Sequence, residues 1–161
     1  MAGFARRDLR RARAEVIAVD TNILIYAHRR EAKEHAVAAL KLAELASSAE
    51  RWAIPWPCVY EFLSVVTNRR IWKDAASTTQ QAWLQFEAWS ASPSLTLLSE
   101  TDDFANVLVQ LVIRPRVIGP VVHDARIAAL CLAHGVEALL TRDRDFSLFP
   151  ELVTENPFAP G

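Results

Sequence analysis

A three-layer α/β/α domain with a central parallel sheet of four to five strands is the fold that this sequence predicts. The chain has 161 residues, of which 52% are hydrophobic and 23% are charged, and these values fit one globular domain. Short apolar segments alternate along the chain with longer segments of helical character. Strands and helices that alternate in this way form a parallel sheet with helices on both faces.

The first half of the chain contains two of the predicted strands. Residues 16–19 form an apolar, β-branched run, which is typical of a strand buried on both faces. Residues 20–22 end this strand, and all three are helix-capping types. A helical stretch follows over residues 23–48, with a break expected near Arg29. Residues 52–54, followed by proline, are predicted to form the second strand.

The second half of the chain continues the alternation. The predicted helices cover residues 58–69, 78–91, 104–113 and 121–134, and the predicted strands cover residues 95–98, 136–141 and 152–153. Gly135 is expected to end the last of these helices, because glycine favours the position that follows a helix C-terminus. Trp83, Phe86 and Trp89 are predicted core residues of the helix over residues 78–91.

The N-terminal segment differs in charge from the rest of the chain. Residues 1–15 carry five arginines, one aspartate and one glutamate, a net charge of +3, whereas the remaining 146 residues carry 13 basic and 17 acidic side chains, a net charge of −4. We therefore predict a flexible basic extension over residues 1–15, a single domain over residues 16–156 and a C-terminal tail over residues 157–161. Any contact of this acidic domain with nucleic acid must be local or involve a metal ion.

No segment has the pattern of a membrane span or a secretory signal. A spanning helix needs about 20 consecutive apolar residues, and the apolar run after the N-terminal arginines ends at Asp20 after residues 16–19. We therefore expect a cytoplasmic protein with no membrane partner. Cys58 and Cys131 are far apart in sequence and are expected to be reduced core residues.

Acidic residues follow two of the predicted strands. Asp20 ends the first strand, and Asp143 and Asp145 come directly after the strand that ends at Thr141. In a parallel sheet, ligands bind outside the carboxyl ends of the strands, so this is the expected site edge. Helix capping is the alternative explanation for Asp20, because aspartate is a preferred N-cap residue.

Two further carboxylates belong to helices that begin at the same edge. Asp124 lies in the first turn of its helix and close to the buried stripe that contains Ile127, although a favourable interaction with the helix dipole would also explain it. Glu61 lies in an otherwise apolar helix. It falls on the buried side if the stripe is formed by Cys58, Glu61, Phe62 and Val65. It is an ordinary flanking residue if the stripe is formed instead by Val59, Phe62, Leu63 and Val66.

Together, the four carboxylates Asp20, Glu61, Asp124 and Asp143 indicate a metal site. Several anions at one sheet edge repel one another unless a divalent cation neutralises them. All-oxygen ligands favour Mg²⁺ or Mn²⁺ over zinc, and no H-E-x-x-H pattern is present in the sequence. Such a cation activates water and stabilises charge on a phosphoryl group, so the chemistry that we expect is phosphodiester hydrolysis.

Four segments carry a resemblance to a known family. They are residues 16–25 (VIAVDTNILI), residues 57–62 (PCVYEF), residues 123–129 (HDARIAA) and residues 139–146 (LLTRDRDF). In this order they resemble the motifs of PIN-domain nucleases. The small single-domain size is most similar to the VapC toxins of VapBC toxin–antitoxin pairs.

The resemblance implies a Mg²⁺-dependent endoribonuclease toxin that acts on an RNA substrate, forms a homodimer and is inhibited by a cognate VapB-like antitoxin. By the same resemblance, Asp20, Asp124 and Asp143 surround the metal and Glu61 completes the catalytic carboxylates. Asp145 corresponds to a less essential acid with a local capping role. Thr21, Asn22 and Thr141 are expected to orient the carboxylates next to them.

Other classes of protein remain open at this point. A catalytically inert PIN-like scaffold that binds RNA or protein is the main alternative. A haloacid-dehalogenase-like phosphatase would need an acid where Asn22 stands, and a receiver-like domain would need a lysine where Arg142 stands. For a nuclease, we expect Asp20→Asn to abolish cleavage with little loss of folding.

Overall fold

Five parallel strands form one sheet in the order β3-β2-β1-β4-β5. The structure is a computed structural model that describes residues 15–160. The strands are β1 (Ile17–Val19), β2 (Trp52–Pro55), β3 (Leu95–Leu98), β4 (Ala138–Leu140) and β5 (Val153–Glu155). The predicted extension over residues 1–15 lies outside the described residues except for Glu15.

Seven α-helices are present in the described residues and cover the sheet. They are α1 (Thr21–His28), α2 (His35–Ser47), α3 (Trp56–Val66), α4 (Arg69–Trp72), α5 (Thr79–Ser90), α6 (Phe104–Val112) and α7 (Val121–Ala133). Two 3₁₀ helices, at Lys73–Ala75 and Arg144–Leu148, complete the structure. The predicted α/β class with a parallel sheet of four to five strands is confirmed.

The two strands at the centre of the sheet bring distant residues to one edge. Val19 of β1 pairs with Leu140 of β4, and the amide of Asp20 donates a hydrogen bond to the carbonyl of Leu140 at 3.0 Å. Asp20 and Thr141 therefore follow neighbouring strands at the same carboxyl edge. Every residue of β2 and β4 is buried, as expected for strands covered on both faces.

The break in the first helical stretch is longer than the sequence suggested. Helix α1 ends at His28 and α2 begins at His35. Arg29, in the break, is a buried residue whose guanidinium pairs with Glu31 and lies over the Trp72 ring, 4.1 Å from its centroid. It also donates to the carbonyl of Ala75 at 2.7 Å. Arg29 therefore connects the break between α1 and α2 to residues 72–75, which follow α3.

The segment after α3 differs from the prediction made from the sequence. The sequence predicted one helix to residue 69, but α3 ends at Val66 and the short helix α4 follows. The side chain of Asn68 accepts a hydrogen bond from the amide of Arg70 and so caps a new helix. Asn68 was the available signal for this boundary, because asparagine inside a helix competes for backbone hydrogen bonds.

Trp83 was wrongly predicted to be a core residue. The buried side of α5 contains Ala82 and Phe86, with Trp89 partly buried next to them. Trp83 lies beside this line, remains 43% exposed and donates its indole N–H to Glu87 at 3.0 Å. Its ring packs on Phe86 with centroids 5.0 Å apart, so it covers the core instead of entering it.

The two cysteines and Gly135 have the environments that the sequence predicts. Cys58 and Cys131 are free and buried, as predicted. Gly135 follows α7 with a φ of 66°, the left-handed conformation that favours glycine at this position. Among the helices of residues 15–160, none combines the length and the apolar character that a membrane span requires.

Candidate functional site

A groove of about 620 Å³ lies at the carboxyl edge of the sheet and contains most of the predicted site residues. Its acidic lining consists of Glu61, Asp124, Asp143 and Asp145. Tyr60, Ser64, His123 and Arg126 also line it. Asp124 belongs to the first turn of α7 and lines the groove together with Asp143, which comes after β4.

Asp20 is only 4% exposed and does not line this groove. Its Oδ1 accepts hydrogen bonds from the Thr21 amide at 2.8 Å and from the Cys58 thiol at 3.6 Å. Its Oδ2 accepts from the Asn22 amide group at 3.0 Å and from the Thr141 hydroxyl at 2.7 Å. Asp20 is the N-cap of α1, which confirms the capping explanation, and its role as a metal ligand stays a prediction.

Burial dominates the ionisation of Asp20. The pKa of this carboxyl group is raised from 3.8 to about 6, mainly because burial disfavours the charged form, and the charge of Glu61 adds to the effect. The hydrogen bonds from Thr141 and Thr21 favour the carboxylate and limit the rise. Asp20 is therefore an anion whose charge depends on a fixed set of donors.

Asn22 and Thr141 join Asp20 to the loop after β4, and we call these three residues the Asp20 network. The Asn22 amide also donates to the Thr141 hydroxyl at 3.2 Å. Asn22 Oδ1 accepts from the amide of Arg142 at 3.1 Å, and Thr141 Oγ1 accepts from the amide of Asp143 at 3.0 Å. These contacts fix the backbone that carries Asp143.

Glu61 occupies the exposed side of α3. The buried stripe of this helix consists of Cys58, Val59, Phe62 and Val66, so Glu61 is a flanking residue and not a buried carboxylate. Its Oε2 accepts a hydrogen bond from the Thr21 hydroxyl at 3.0 Å. Thr21 thus connects Glu61 to the residue that follows Asp20, and it holds the Glu61 carboxylate at the groove.

Asp124, Asp143 and Asp145 form an acidic trio. One carboxylate oxygen from each lies within 4.8 Å of the others. Asp143 Oδ1 accepts from the amide of Asp145 at 2.9 Å, which caps the 3₁₀ helix at Arg144–Leu148 and turns Asp145 back towards Asp143. Of the carboxylates predicted for the site, the structure therefore brings Asp124 and Asp143 together, with Glu61 in the same groove and Asp20 buried outside its lining.

The electrostatics of Asp124 show how close these charges are. The pKa of Asp124 is raised from 3.8 to about 7. Burial is the largest cause, followed by the charges of Asp143, Asp20, Asp145 and Glu61 in that order. All four of those carboxylates disfavour the ionisation of Asp124, so negative charge is concentrated at this point of the groove.

The donor set of the acidic trio fits a hard divalent cation. All three ligand groups are carboxylates, and oxygen ligands favour Mg²⁺, Mn²⁺ or Ca²⁺ over zinc. The mutual repulsion that raises the pKa of Asp124 is the repulsion that a bound cation removes. His123 lines the groove but is not part of the trio.

Comparison with known proteins identifies the family of this chain. The PIN domain family matches residues 17–152. This chain belongs to the PIN domain family. It is 32% identical over 142 residues to the VapC ribonuclease Mb2897 of Mycobacterium bovis, an alignment that covers 88% of this chain and 95% of that relative.

Solved structures of PIN-domain proteins share the fold. The VapBC2 complex of Rickettsia felis, bound to a DNA fragment from its promoter, superposes with a TM-score of 0.64 at 19% identity, covering 88% of this chain and 98% of that chain. VapC20 of Mycobacterium tuberculosis, a toxin that cleaves the sarcin–ricin loop, superposes with a TM-score of 0.60 at 18% identity, covering 81% of this chain and 92% of that chain.

These likenesses confirm the resemblance drawn from the four motifs and the class of activity that it implied. The chain is a PIN-domain protein of the VapC ribonuclease type, and PIN nucleases depend on divalent metal ions. Sequence reasoning gave Asp145 only a capping role and did not consider Tyr60. The signals were the Asp-x-Asp spacing after β4 and an aromatic residue directly before Glu61.

Proposed function

We propose that this PIN-domain protein is a Mg²⁺-dependent endoribonuclease toxin of a toxin–antitoxin pair. It hydrolyses phosphodiester bonds of RNA in the cytoplasm, and a cognate VapB-like antitoxin inhibits it. The acidic trio carries the proposal, because three carboxylate oxygens within 4.8 Å of one another at the carboxyl edge of the sheet are a suitable set of ligands for a divalent cation.

The metal ligands that we propose are Asp124 and Asp143, with Asp145 as the third member of the trio. Asp20 was also a predicted ligand, but its four hydrogen bonds use the about four acceptor sites that a carboxylate offers. Asp20 therefore contributes negative charge without lining the groove. It would bind a cation directly only by releasing one donor, of which the Cys58 thiol, at 3.6 Å, is the weakest.

Each side chain has a distinct task in the proposed reaction. When bound, Mg²⁺ lowers the pKa of water and stabilises the charge that develops on the phosphate. Glu61, held by the Thr21 hydroxyl, faces the groove as an acceptor that orients the attacking water. His123 and Arg126 line the groove as donors for phosphate oxygens, and Arg126 is anchored by Glu100 at 2.8 Å.

Two protein partners complete the proposal. An antitoxin is supported by the structural likeness to complexes such as VapBC2 of Rickettsia felis. A homodimer is supported by four exposed aliphatic residues in and between α6 and α7, namely Val109, Ile113, Ile118 and Val122. Exposed apolar residues clustered in one region are typical of an interface between protein chains.

The test is controlled expression in a host without the antitoxin, with wild-type protein compared with Asp124→Asn. New RNA 5′ ends are mapped across the transcriptome while growth is followed. We expect growth arrest and discrete new ends for the wild type only. In vitro, cleavage of the mapped RNA should require Mg²⁺ and should stop when the purified antitoxin is added.

Two outcomes would contradict the proposal. A folded wild-type protein that causes no arrest and no new ends would favour the inert RNA- or protein-binding scaffold. Arrest that persists in Asp124→Asn would show that toxicity does not depend on the acidic trio. Asp102→Asn is the matched control, since Asp102 is an exposed aspartate that does not line the groove.

A further inference from the structure

Tyr60 is an exposed aromatic residue at the edge of the groove. It precedes Glu61 in α3, lines the groove together with Glu61 and Asp124, and is 58% exposed. It is not part of the buried stripe of α3. The core therefore does not explain an aromatic side chain at this position.

The tyrosine ring is supported from one side. Trp56, one helical turn earlier, stacks on it with ring centroids 5.9 Å apart and an interplanar angle of 26°. Trp56 in turn packs on Phe86, a buried residue of α5, with centroids 5.8 Å apart. This ring is held by its neighbours on one face and is open on the other, so it is a suitable surface for a further flat group. The side chain loses little additional conformational entropy when that group stacks on it.

The chemistry of the site determines which flat group reaches this ring. The groove has a volume of about 620 Å³ and carries the carboxylates of the proposed metal site beside Tyr60. A phosphodiester held at those carboxylates has a nucleobase on each side of it. Base stacking on an aromatic side chain is the common way in which proteins hold single-stranded nucleic acid.

We propose that Tyr60 stacks on a nucleobase next to the scissile phosphate and so positions an unpaired stretch of the RNA in the groove. The inference rests on the proposed ribonuclease function and adds a positioning residue to it. In a duplex both faces of each base are covered by neighbouring bases, so only an unpaired or splayed base can offer a face to Tyr60. Tyr60 is thus a positioning residue for the substrate.

Equilibrium binding of labelled RNA tests the stacking contact separately from cleavage. The probes are single-stranded oligo(A), single-stranded oligo(U) and the oligo(A)·oligo(U) duplex, with Asp124→Asn as the background so that the RNA stays intact. Tyr60→Phe keeps the ring and should bind all probes like its parent. Tyr60→Leu should bind single strands about 5- to 150-fold more weakly, the loss expected for one stacked base.

Two comparisons make this result specific. The loss should be larger for oligo(A) than for oligo(U), because a purine offers more stacking area, and small for the duplex. Trp83→Leu is the matched control, since Trp83 belongs to the same aromatic cluster and is 43% exposed but does not line the groove. It should leave RNA binding unchanged.

The inference fails if Tyr60→Leu binds single strands as tightly as its parent, or if it loses the same factor on the duplex. It also fails if Tyr60→Leu keeps RNA affinity but escapes the antitoxin, which would make Tyr60 a contact for the protein partner. Cellular RNA cleavage by the wild type distinguishes the two proposals. Cleavage without a Tyr60 effect overturns the stacking alone, whereas Tyr60-dependent binding without cleavage overturns the ribonuclease function.

Discussion

Asp20 and the acidic trio of Asp124, Asp143 and Asp145 lie at the same edge of the sheet but are stabilised differently. Asp20 is 4% exposed and accepts four hydrogen bonds from groups that the fold holds in place. The trio lines the open groove, and its carboxylates lie within 4.8 Å of one another. Fixed hydrogen-bond donors of the protein stabilise the Asp20 carboxylate, whereas the carboxylates of the trio repel one another and are open to a cation from solution.

This difference separates effects on folding from effects on metal binding. A change in the Asp20 network removes partners from buried polar groups, so the free energy of unfolding falls. A change in the trio removes one of several charges that repel one another, so folding is preserved and cation binding is lost. The following substitutions test this separation.

Asp124→Asn should have the largest effect on activity. Asp124 is half-buried, belongs to the trio and is repelled by four other carboxylates, so its neutralisation removes a metal ligand and relieves repulsion. We expect RNA cleavage to fall on the order of 10²–10³-fold, as when one transition-state stabilising group is lost. The melting temperature without divalent ions should stay equal or rise. A marked fall in melting temperature would contradict the comparison, and Asp102→Asn serves as the control.

Asp20→Asn should lower both activity and stability. An asparagine at this position presents an N–H₂ group to donors that need an acceptor, either Thr141 and Asn22 or Thr21 and Cys58. The structure thus replaces the expectation of little loss of folding with a cost of about 1–3 kcal/mol in the free energy of unfolding. Chemical denaturation measures it, and an unchanged midpoint would show that the donors are not tied to the carboxylate.

Thr141→Val tests the Asp20 network without changing a charge. The buried hydroxyl donates to Asp20 and accepts from the amide of Asp143. Without it, the side chain of Asp20 and the backbone of Asp143 are held less firmly in place. We expect Mg²⁺ affinity and cleavage to fall about 10–100-fold, the usual effect of removing a group that orients a metal ligand. Thr154→Val, at an exposed position in β5, is the isosteric control and should match the wild type.

The sequence predicted the fold and three of the four carboxylates that line the groove, namely Glu61, Asp124 and Asp143, because those features depend on local patterns. Buried strands are visible in the sequence as short apolar runs. Asp20 and Asp143 lie just after two of these runs. The position of Asp145 in the trio depends on the 3₁₀ helix at Arg144–Leu148, which has no clear periodic pattern. The full set of hydrogen bonds to the Asp20 carboxylate depends on Thr141, which is 121 residues away in the chain. A contact over this separation cannot be predicted from local sequence.

The last expected effect is a pH dependence of folding that the trio imposes in the absence of divalent ions. The pKa of Asp124 is about 7 in the folded protein against 3.8 for the unperturbed group. Between these values the unfolded chain has lost a proton that the folded chain still holds, so stability falls as pH rises from about 4 to about 7 and this contribution is constant above that. The pKa of Asp20, about 6, acts in the same direction over a narrower range.

The difference in melting temperature between wild type and Asp124→Asn isolates the contribution of Asp124. Other titrating groups, such as His28, whose pKa is lowered by burial, affect the stability of both proteins equally. Melting temperatures are measured in EDTA at several pH values. The advantage of Asp124→Asn should grow from pH 4 to pH 7 and then level off. With Mg²⁺ present the order should reverse near pH 7, since a cation that displaces the Asp124 proton binds only the wild-type trio tightly. Parallel pH curves in EDTA would show that the trio is relieved of its repulsion by groups of the protein itself, and the electrostatic contrast with Asp20 would disappear.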